Sequence, residues 1–147
     1  WLFYKTITQE IEKHQNVKFK IFSDNILICK EIEEAAPEQA VVEIFEILDK
    51  IEGTIKTSSK DAEFEGIYAG DLLSHVMAHA KENNLFLTIM ANINAIAVAS
   101  LLDMPVVVFA EGVNPTEEMI QKADDENIMV ISTPLNVVEV IRKIYEI

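Results

Sequence analysis

His75 and His79 stand four residues apart and are the pair in this chain that comes nearest to metal chemistry. Imidazoles at i and i+4 share one face of a helix and can hold zinc. The general base of a His-Glu-x-x-His site is missing, because Val76 occupies that position, and no third ligand is evident. An exposed helix face is the better reading, and no metal site is assigned. Nucleophilic catalysis has as little support. No Gly-x-Ser-x-Gly elbow and no Cys/His pair occurs. The single cysteine, Cys29, ends the apolar run Ile26-Leu27-Ile28-Cys29, where a buried inert thiol is expected. The four glycines (Gly53, Gly66, Gly70, Gly112) form neither a phosphate loop nor a dinucleotide fingerprint. Asp71 and Glu111 could each serve as a general base, but a lone carboxylate without a positioned partner is weak support for catalysis. No catalytic residue and no cofactor is assigned.

The remaining polar residues of interest follow apolar runs. Gly70, Asp71 and Ser74 come after Tyr68, and Asn92 and Asn94 after Met90. Glu111, Gly112 and Asn114 come after Phe109, and Ser132, Thr133 and Asn136 after Ile131. If those runs are parallel strands, these groups converge on the rim outside the strands' carboxyl ends, where open α/β sheets bind ligands. Helix N-termini on that rim would offer free amides to an anion. Taken singly, each of these residues is also what helix capping requires. The candidate ligand-binding set is Gly70, Asp71, Ser74, Asn92, Asn94, Gly112, Asn114 and Thr133.

The elements that must position this rim can be read in order. Partial helical spacing of Leu2, Ile7 and Ile11 predicts a helix over Trp1–His14. Val17, Phe19 and Ile21 alternate with Lys18 and Lys20, a half-buried strand; Ser23-Asp24-Asn25 is turn chemistry, and Ile26–Cys29 completes a β-hairpin. Glu33–Glu38 reads as a linker around Pro37. Two parts follow: residues 1–37, a helix plus hairpin extension, and residues 38–147, an α/β domain.

In the second part, Val41, Ile44, Phe45 and Leu48 predict one apolar helix face, with Gly53 as its C-terminal cap. Thr54–Thr57 and Glu63–Tyr68 are expected strands. Asp71 is expected to cap a helix that buries Leu72, Val76, Met77 and Ala80 and ends at Asn83-Asn84. Leu85–Met90 is a strand, and Asn92 or Asn94 caps a helix over Ala95–Leu102. Val106–Phe109 lacks alternation and should be buried on both faces, as in a parallel sheet. Asn114-Pro115-Thr116-Glu117-Glu118 is a helix start with Asn114 as cap and Pro115 at the first position. Ile128–Ile131 is another buried strand, and Thr133-Pro134 opens a last helix reaching about Tyr145. The alternation of strand and helix from Leu85 onward predicts an α/β class, a small three-layer domain with a mainly parallel sheet.

Composition bounds the partners. Half of the 147 residues are hydrophobic and the formal net charge is −13. An acidic field of this size repels phosphate backbones, so nucleic acid is not an expected partner. No apolar run reaches the length of a membrane span, and no signal peptide is evident, so no membrane association and a cytoplasmic location are expected. The chain opens on Trp1 rather than Met, as a piece of something longer would.

The stretch Asp61-Ala62-Glu63-Phe64-Glu65-Gly66-Ile67-Tyr68-Ala69-Gly70-Asp71-Leu72-Leu73-Ser74 resembles the DRTGG domain family. The likeness continues through Val76-Met77-Ala78, Leu87-Thr88-Ile89 and Asn94-Ala95-Ile96-Ala97-Val98-Ala99, and covers roughly Val41 to Ile147. The chain departs from the family pattern at Asp61-Ala62, which lacks the arginine, and at Gly66-Ile67, with one glycine where two are usual. Relatives also carry polar residues where this chain has Met90, Ala91 and Asn92. The resemblance implies a small α/β domain, usually dimeric and not itself the catalyst. Such domains occur alone near iron-only hydrogenase genes and as regulatory inserts in CBS-containing pyrophosphatases and phosphotransacetylases. The N-terminal domain of HPr kinase/phosphorylase is similar.

The expectation drawn from residues and resemblance together is a regulatory or ligand-sensing domain, not an enzyme. It would self-associate as a homodimer and take an adenine nucleotide or a small anion at the rim. The alternative is a protein–protein interaction module without a ligand, using the edge of the hairpin Val17–Cys29. A small enzyme with Asp71 or Glu111 as base ranks third.

Overall fold

The computed structural model describes residues 18–22, 25–29, 41–58 and 62–145. The chain divides into two units, Trp1–Glu38 and Gln39–Ile147. In the first, β1 (Lys18–Phe22) and β2 (Asn25–Cys29) pair antiparallel, with Lys18 opposite Cys29 and Phe22 opposite Asn25. This is the expected hairpin, with Asn25 drawn from the turn into the second strand. The expected helix over Trp1–His14, the Ser23-Asp24 turn and the Glu33–Glu38 linker lie outside the described residues.

The second unit is built on a five-stranded sheet. Its parallel strands are β6 (Gly66–Ala69), β7 (Asn84–Thr88), β8 (Val106–Phe109) and β9 (Met129–Ser132), neighbours in space in their sequence order. A short strand, β4 (Thr54–Ile55), adds to β9 antiparallel, so the sheet is mainly but not wholly parallel. Three helices cross between the parallel strands: α2 (Leu73–His79), α3 (Ile93–Leu101) and α4 (Glu117–Asp125). Because each crossover advances the sheet in one direction and shares one hand, all three fall on one face. Val76, Ala95, Ile96, Ala99, Met119 and Ala123 pack there against Phe86, Val107, Phe109 and Val130. The opposite face, Leu85, Leu87, Val106, Val108, Met129 and Ile131, is covered by α1 (Ile44–Leu48) and α5 (Val137–Tyr145). Successive strand residues thus feed the two cores alternately. That is why Val106–Phe109 carries no polar position and is buried throughout. Among the described residues, no helix is long and apolar enough to cross a membrane.

Several boundaries differ from expectation. Val42–Glu43 (β3) is extended and pairs antiparallel with Glu63–Phe64 (β5) before α1 begins. The helix buries Ile44, Ile47 and the following Ile51, while Val41 and Phe45 are about half exposed. Residues 41–51 hold two apolar stripes, and the pairing at Val42–Glu43 decides which one faces the sheet. The strand expected over Glu63–Tyr68 breaks at Glu65, whose N–H bonds to the Asn83 carbonyl at 2.9 Å, so β5 and β6 join different sheets.

Helix ends are closed without glycine. Glu52, Asp103 and Asn127 take the left-handed conformation, with φ of 52°, 52° and 56°. In each case the next N–H returns to a carbonyl five residues back: Gly53 to Leu48, Met104 to Ala99, Ile128 to Ala123. The left-handed role expected of Gly53 therefore belongs to Glu52. Gly53 is required for space: a Cβ there would stand 2.8 Å from Leu48 Cδ1 and 2.9 Å from Ile131 Cγ2. Ile131 is β-branched and fully buried, so it cannot swing away. Gly53→Ala is expected to lower the unfolding free energy by about 1–3 kcal/mol, measured by urea titration.

Candidate functional site

The register of the parallel strands aligns their carboxyl ends, with Ala69 opposite Leu87, Thr88 opposite Phe109, and Phe109 opposite Ser132. The segments that follow these strands emerge together and are laced by backbone bonds. Gly70 N–H donates to Leu87 O, Ala110 N–H to Thr88 O, and Thr133 N–H to Phe109 O. The Glu111 and Gly112 N–H groups donate to Leu135 O and Thr133 O, both at 2.8 Å. Glu111 and Gly112 both have positive φ, 59° and 71°, yet their amides are already bonded and are not open to an anion.

Most of the sequence-derived rim residues hold this structure together. Asp71 does not cap α2: the helix begins at Leu73, its N-cap is Leu72, and no side chain caps it. Instead, Asp71 Oδ1 accepts from Thr88 Oγ1 at 2.7 Å and from Ile89 N–H at 3.0 Å, tying the segment after β6 to the end of β7. The helix start shifts because this bond draws Asp71 toward β7. The face expected to be buried shifts with it. Only Val76 is fully buried on α2, and Leu72 and Met77 are 62% and 50% exposed.

Asn92 caps α3, its Oδ1 accepting from Asn94 N–H at 2.9 Å. Thr116, not Asn114, caps α4, accepting from Met119 N–H at 3.3 Å. Asn114 lies two residues earlier, where its Nδ2 donates to Gly112 O at 3.2 Å. Thr133 is buried; its hydroxyl donates to Ile51 O and accepts from Leu135 N–H at 3.1 Å. It does not begin α5. Asn136 does, through a reciprocal pair in which Asn136 Oδ1 accepts from Glu139 N–H and Glu139 Oε2 accepts from Asn136 N–H. Gly70 is half-buried, and a Cβ on it would meet only ordinary contacts.

Two members of the set are placed differently. Ser74 and Asn94 are exposed in the first turns of α2 and α3, which pack beside each other. Among the described residues, neither side chain is tied to another protein group. Both have hydrogen-bonding capacity to offer on this rim. Ser132, which the sequence also placed here, donates its hydroxyl to Val113 O at 2.6 Å.

On α2, His79 Nδ1 lies 3.0 Å from the carbonyl of His75, and the two rings are 5.4 Å apart. An Nδ1 proton donated to that carbonyl satisfies a helix-end acceptor. Among the described residues, no three His, Cys, Asp or Glu side chains gather as a metal site would need. Two clefts among these residues lie elsewhere. One of about 160 Å³ is lined by Val41, Glu63, Phe64, Glu65 and Asn83. The other, about 270 Å³, opens between the C-terminal ends of α3 and α4, beside Ser100, Asp103, Glu126 and Asn127.

Residues 77–147 match the family model described as HPr Serine kinase N terminus. No curated protein sequence matches the chain. A solved structure, the CBS and DRTGG domains of the regulatory region of Clostridium perfringens pyrophosphatase complexed with the activator diadenosine tetraphosphate, is similar with a TM-score of 0.59 and 19% identity. The match covers 69% of this chain and 45% of that one, so the chain spans less than half of that structure. At this identity the likeness is one of fold. The chain is thus similar to the DRTGG-type domains its sequence resembles, with the HPr serine kinase N-terminal match over residues 77–147 as the direct sequence link.

Proposed function

We propose that residues 38–147 form a non-catalytic regulatory domain that senses a small ligand, an adenine nucleotide or a small anion, at the carboxyl ends of its parallel strands, and that the chain works as a homodimer. The observation that carries this reading is the pair of uncommitted side chains, Ser74 and Asn94, at the starts of adjacent helices on that rim. The Asn94 amide offers one acceptor and two donors, which suits the edge of a nucleobase, and the Ser74 hydroxyl can give or accept one bond. The similar regulatory region complexed with an adenine dinucleotide activator supports a nucleotide as the ligand class. The rim carboxylate Asp71 is engaged by Thr88 and Ile89, which leaves Glu111 as a lone carboxylate without a positioned partner, weak support for catalysis.

A thermal-shift series with AMP, ADP, ATP, diadenosine tetraphosphate, phosphate and sulfate tests the proposal. At least one compound is expected to raise Tm. Asn94→Ala is expected to weaken that compound's binding about tenfold, a loss of one or two hydrogen bonds, while leaving the unliganded Tm unchanged. No shift with any compound, together with a monomer by light scattering, would overturn both the sensing and the self-association.

The hairpin supports a second reading. Among the described residues, β1 and β2 pair only with each other, which leaves two outer edges able to accept a partner strand. Loss of partner binding on deleting residues 1–37, with no effect of Asn94→Ala, favours that reading over the first.

A further inference from the structure

We infer that the outer face of α2 and α3 is the surface through which two copies of this chain associate, an inference that rests on the self-association proposed above. α3 reads Ile93-Asn94-Ala95-Ile96-Ala97-Val98-Ala99-Ser100-Leu101 and carries no charged residue. A helix that is apolar on every side belongs inside a larger core. Here the sheet covers one side, and α2 and α4 flank the helix. The outer stripe is left open: Asn94 and Ala97 are exposed, and Leu101 is 65% exposed. On α2 the outward residues are Ser74, His75, Met77, Ala78 and His79, with Met77 50% exposed, so this part of the face is mixed apolar and polar but holds no Asp, Glu, Lys or Arg. The other long helices differ in kind, for α4 and α5 are strongly amphipathic and turn charged residues to solvent.

The charge pattern selects a second copy as the occupant. The chain carries a formal −13, and on α4 the side chains of Glu117, Glu118 and Asp125 are exposed. A copy approaching over α4 would set like charges face to face. Between Gly66 and Leu102 the only Asp, Glu, Lys or Arg residues are Asp71, Lys81 and Glu82, and none of them lies on α2 or α3. In a two-fold contact a patch meets itself. On an acidic molecule, an uncharged patch does so without repulsion. A basic partner would be drawn to α4 instead. Ala97, small and central, lets two helix axes approach to packing distance.

The test uses the full chain. Multi-angle light scattering is expected to give twice the chain mass. Ala97→Glu and Leu101→Glu, each entering the contact twice, are expected to weaken association at least about a hundredfold, because each would bury an unpaired carboxylate. Val138→Glu alters an exposed apolar side chain on α5 and is expected to leave the dimer intact. The Cys29→Ser chain carrying Ala97→Cys or Leu101→Cys gives a reading that does not depend on tolerance of glutamate. Oxidation with diamide is expected to link two copies in at least one of them. A wild-type dimer that persists in both glutamate variants, or that neither cysteine variant links, overturns this surface and leaves self-association standing. A wild-type monomer overturns both.

Discussion

Thr133→Val is expected to lower the unfolding free energy by about 2–4 kcal/mol, although the two side chains have nearly the same shape. Thr133 is 1% exposed. Its hydroxyl donates to the carbonyl of Ile51, just beyond α1, and accepts the N–H of Leu135 at 3.1 Å. Valine fills the same volume but leaves both backbone groups without a partner. Each such group, buried, costs about 1–3 kcal/mol. Ile51 is itself fully buried, so water reaches its carbonyl poorly. The measurement is a urea titration in which the midpoint falls at unchanged slope, the mark of lost stability without a change in the unfolded state. The same variant separates two roles that sequence alone could not. If Thr133 is a clamp, Thr133→Val keeps the ligand-induced rise in Tm above its own lowered baseline, whereas Asn94→Ala loses the rise and keeps the baseline. An unchanged urea midpoint would remove the clamp and return the hydroxyl to the ligand set.

That contrast marks how far the sequence could be read. The buried strands were legible in their cores, residues 85–88, 106–109 and 129–131, because nearly unbroken apolar runs of strand length have one good destination, a sheet covered on both faces; the strand expected over Leu85–Met90 ends at Thr88, and Asn84, expected at the end of a helix, begins it. Their order and the helices between them then fixed the architecture. Helix starts were less legible. Asp71, Asn114 and Thr133 are all acceptable capping residues, and local propensity cannot see a bond to a residue many positions away. Asp71 bonds across 17 and 18 positions to Thr88 and Ile89, and Thr133 across 82 to Ile51. Each leaves the helix start to a neighbour, Leu72 or Asn136. The Asn136–Glu139 pair does follow the capping-box spacing, with asparagine in place of serine or threonine, so that signal was present. The left-handed residues Asp103 and Asn127 also had one: a small polar residue followed by apolar Met104 and Ile128, the pattern of a Schellman ending without glycine.

The rim is therefore two things at once. Its backbone amides are mostly engaged by carbonyls and caps, which stiffens it. A stiff rim can hold side chains such as Ser74 and Asn94 in fixed positions, and preorganised groups bind at lower entropic cost. Asn94 also belongs to the outer stripe of α3 on which the dimer is proposed. Ligand and partner would then meet at one helix, so binding of either could alter the affinity of the other, and by linkage the effect would be reciprocal.

Asp71 governs the geometry on which such coupling depends, and Asp71→Ala is expected to cost about 2 kcal/mol of stability. Its Oδ1 holds Thr88 Oγ1 and Ile89 N–H together, and Thr88 Oγ1 in turn accepts Met90 N–H at 3.1 Å. The carboxylate thus orders the first residues of the segment that leads to Asn92 and α3. Removing it leaves the Thr88 hydroxyl, on a side chain 1% exposed, with no acceptor. Asp71→Asn can keep one oxygen facing both donors and is expected to lose less than half as much, since only the charge assistance goes. Hydrogen exchange at Ile89 gives the local reading: its amide is expected to lose protection in the alanine variant and to retain most of it in the asparagine variant. Ligand binding should follow the same order, weakened in Asp71→Ala with Asn94 intact, because the rim has lost its fixed spacing. Equal loss in the two variants would mean that the charge of Asp71 meets the ligand directly, and Asp71 would then be a contact residue rather than a positioning one.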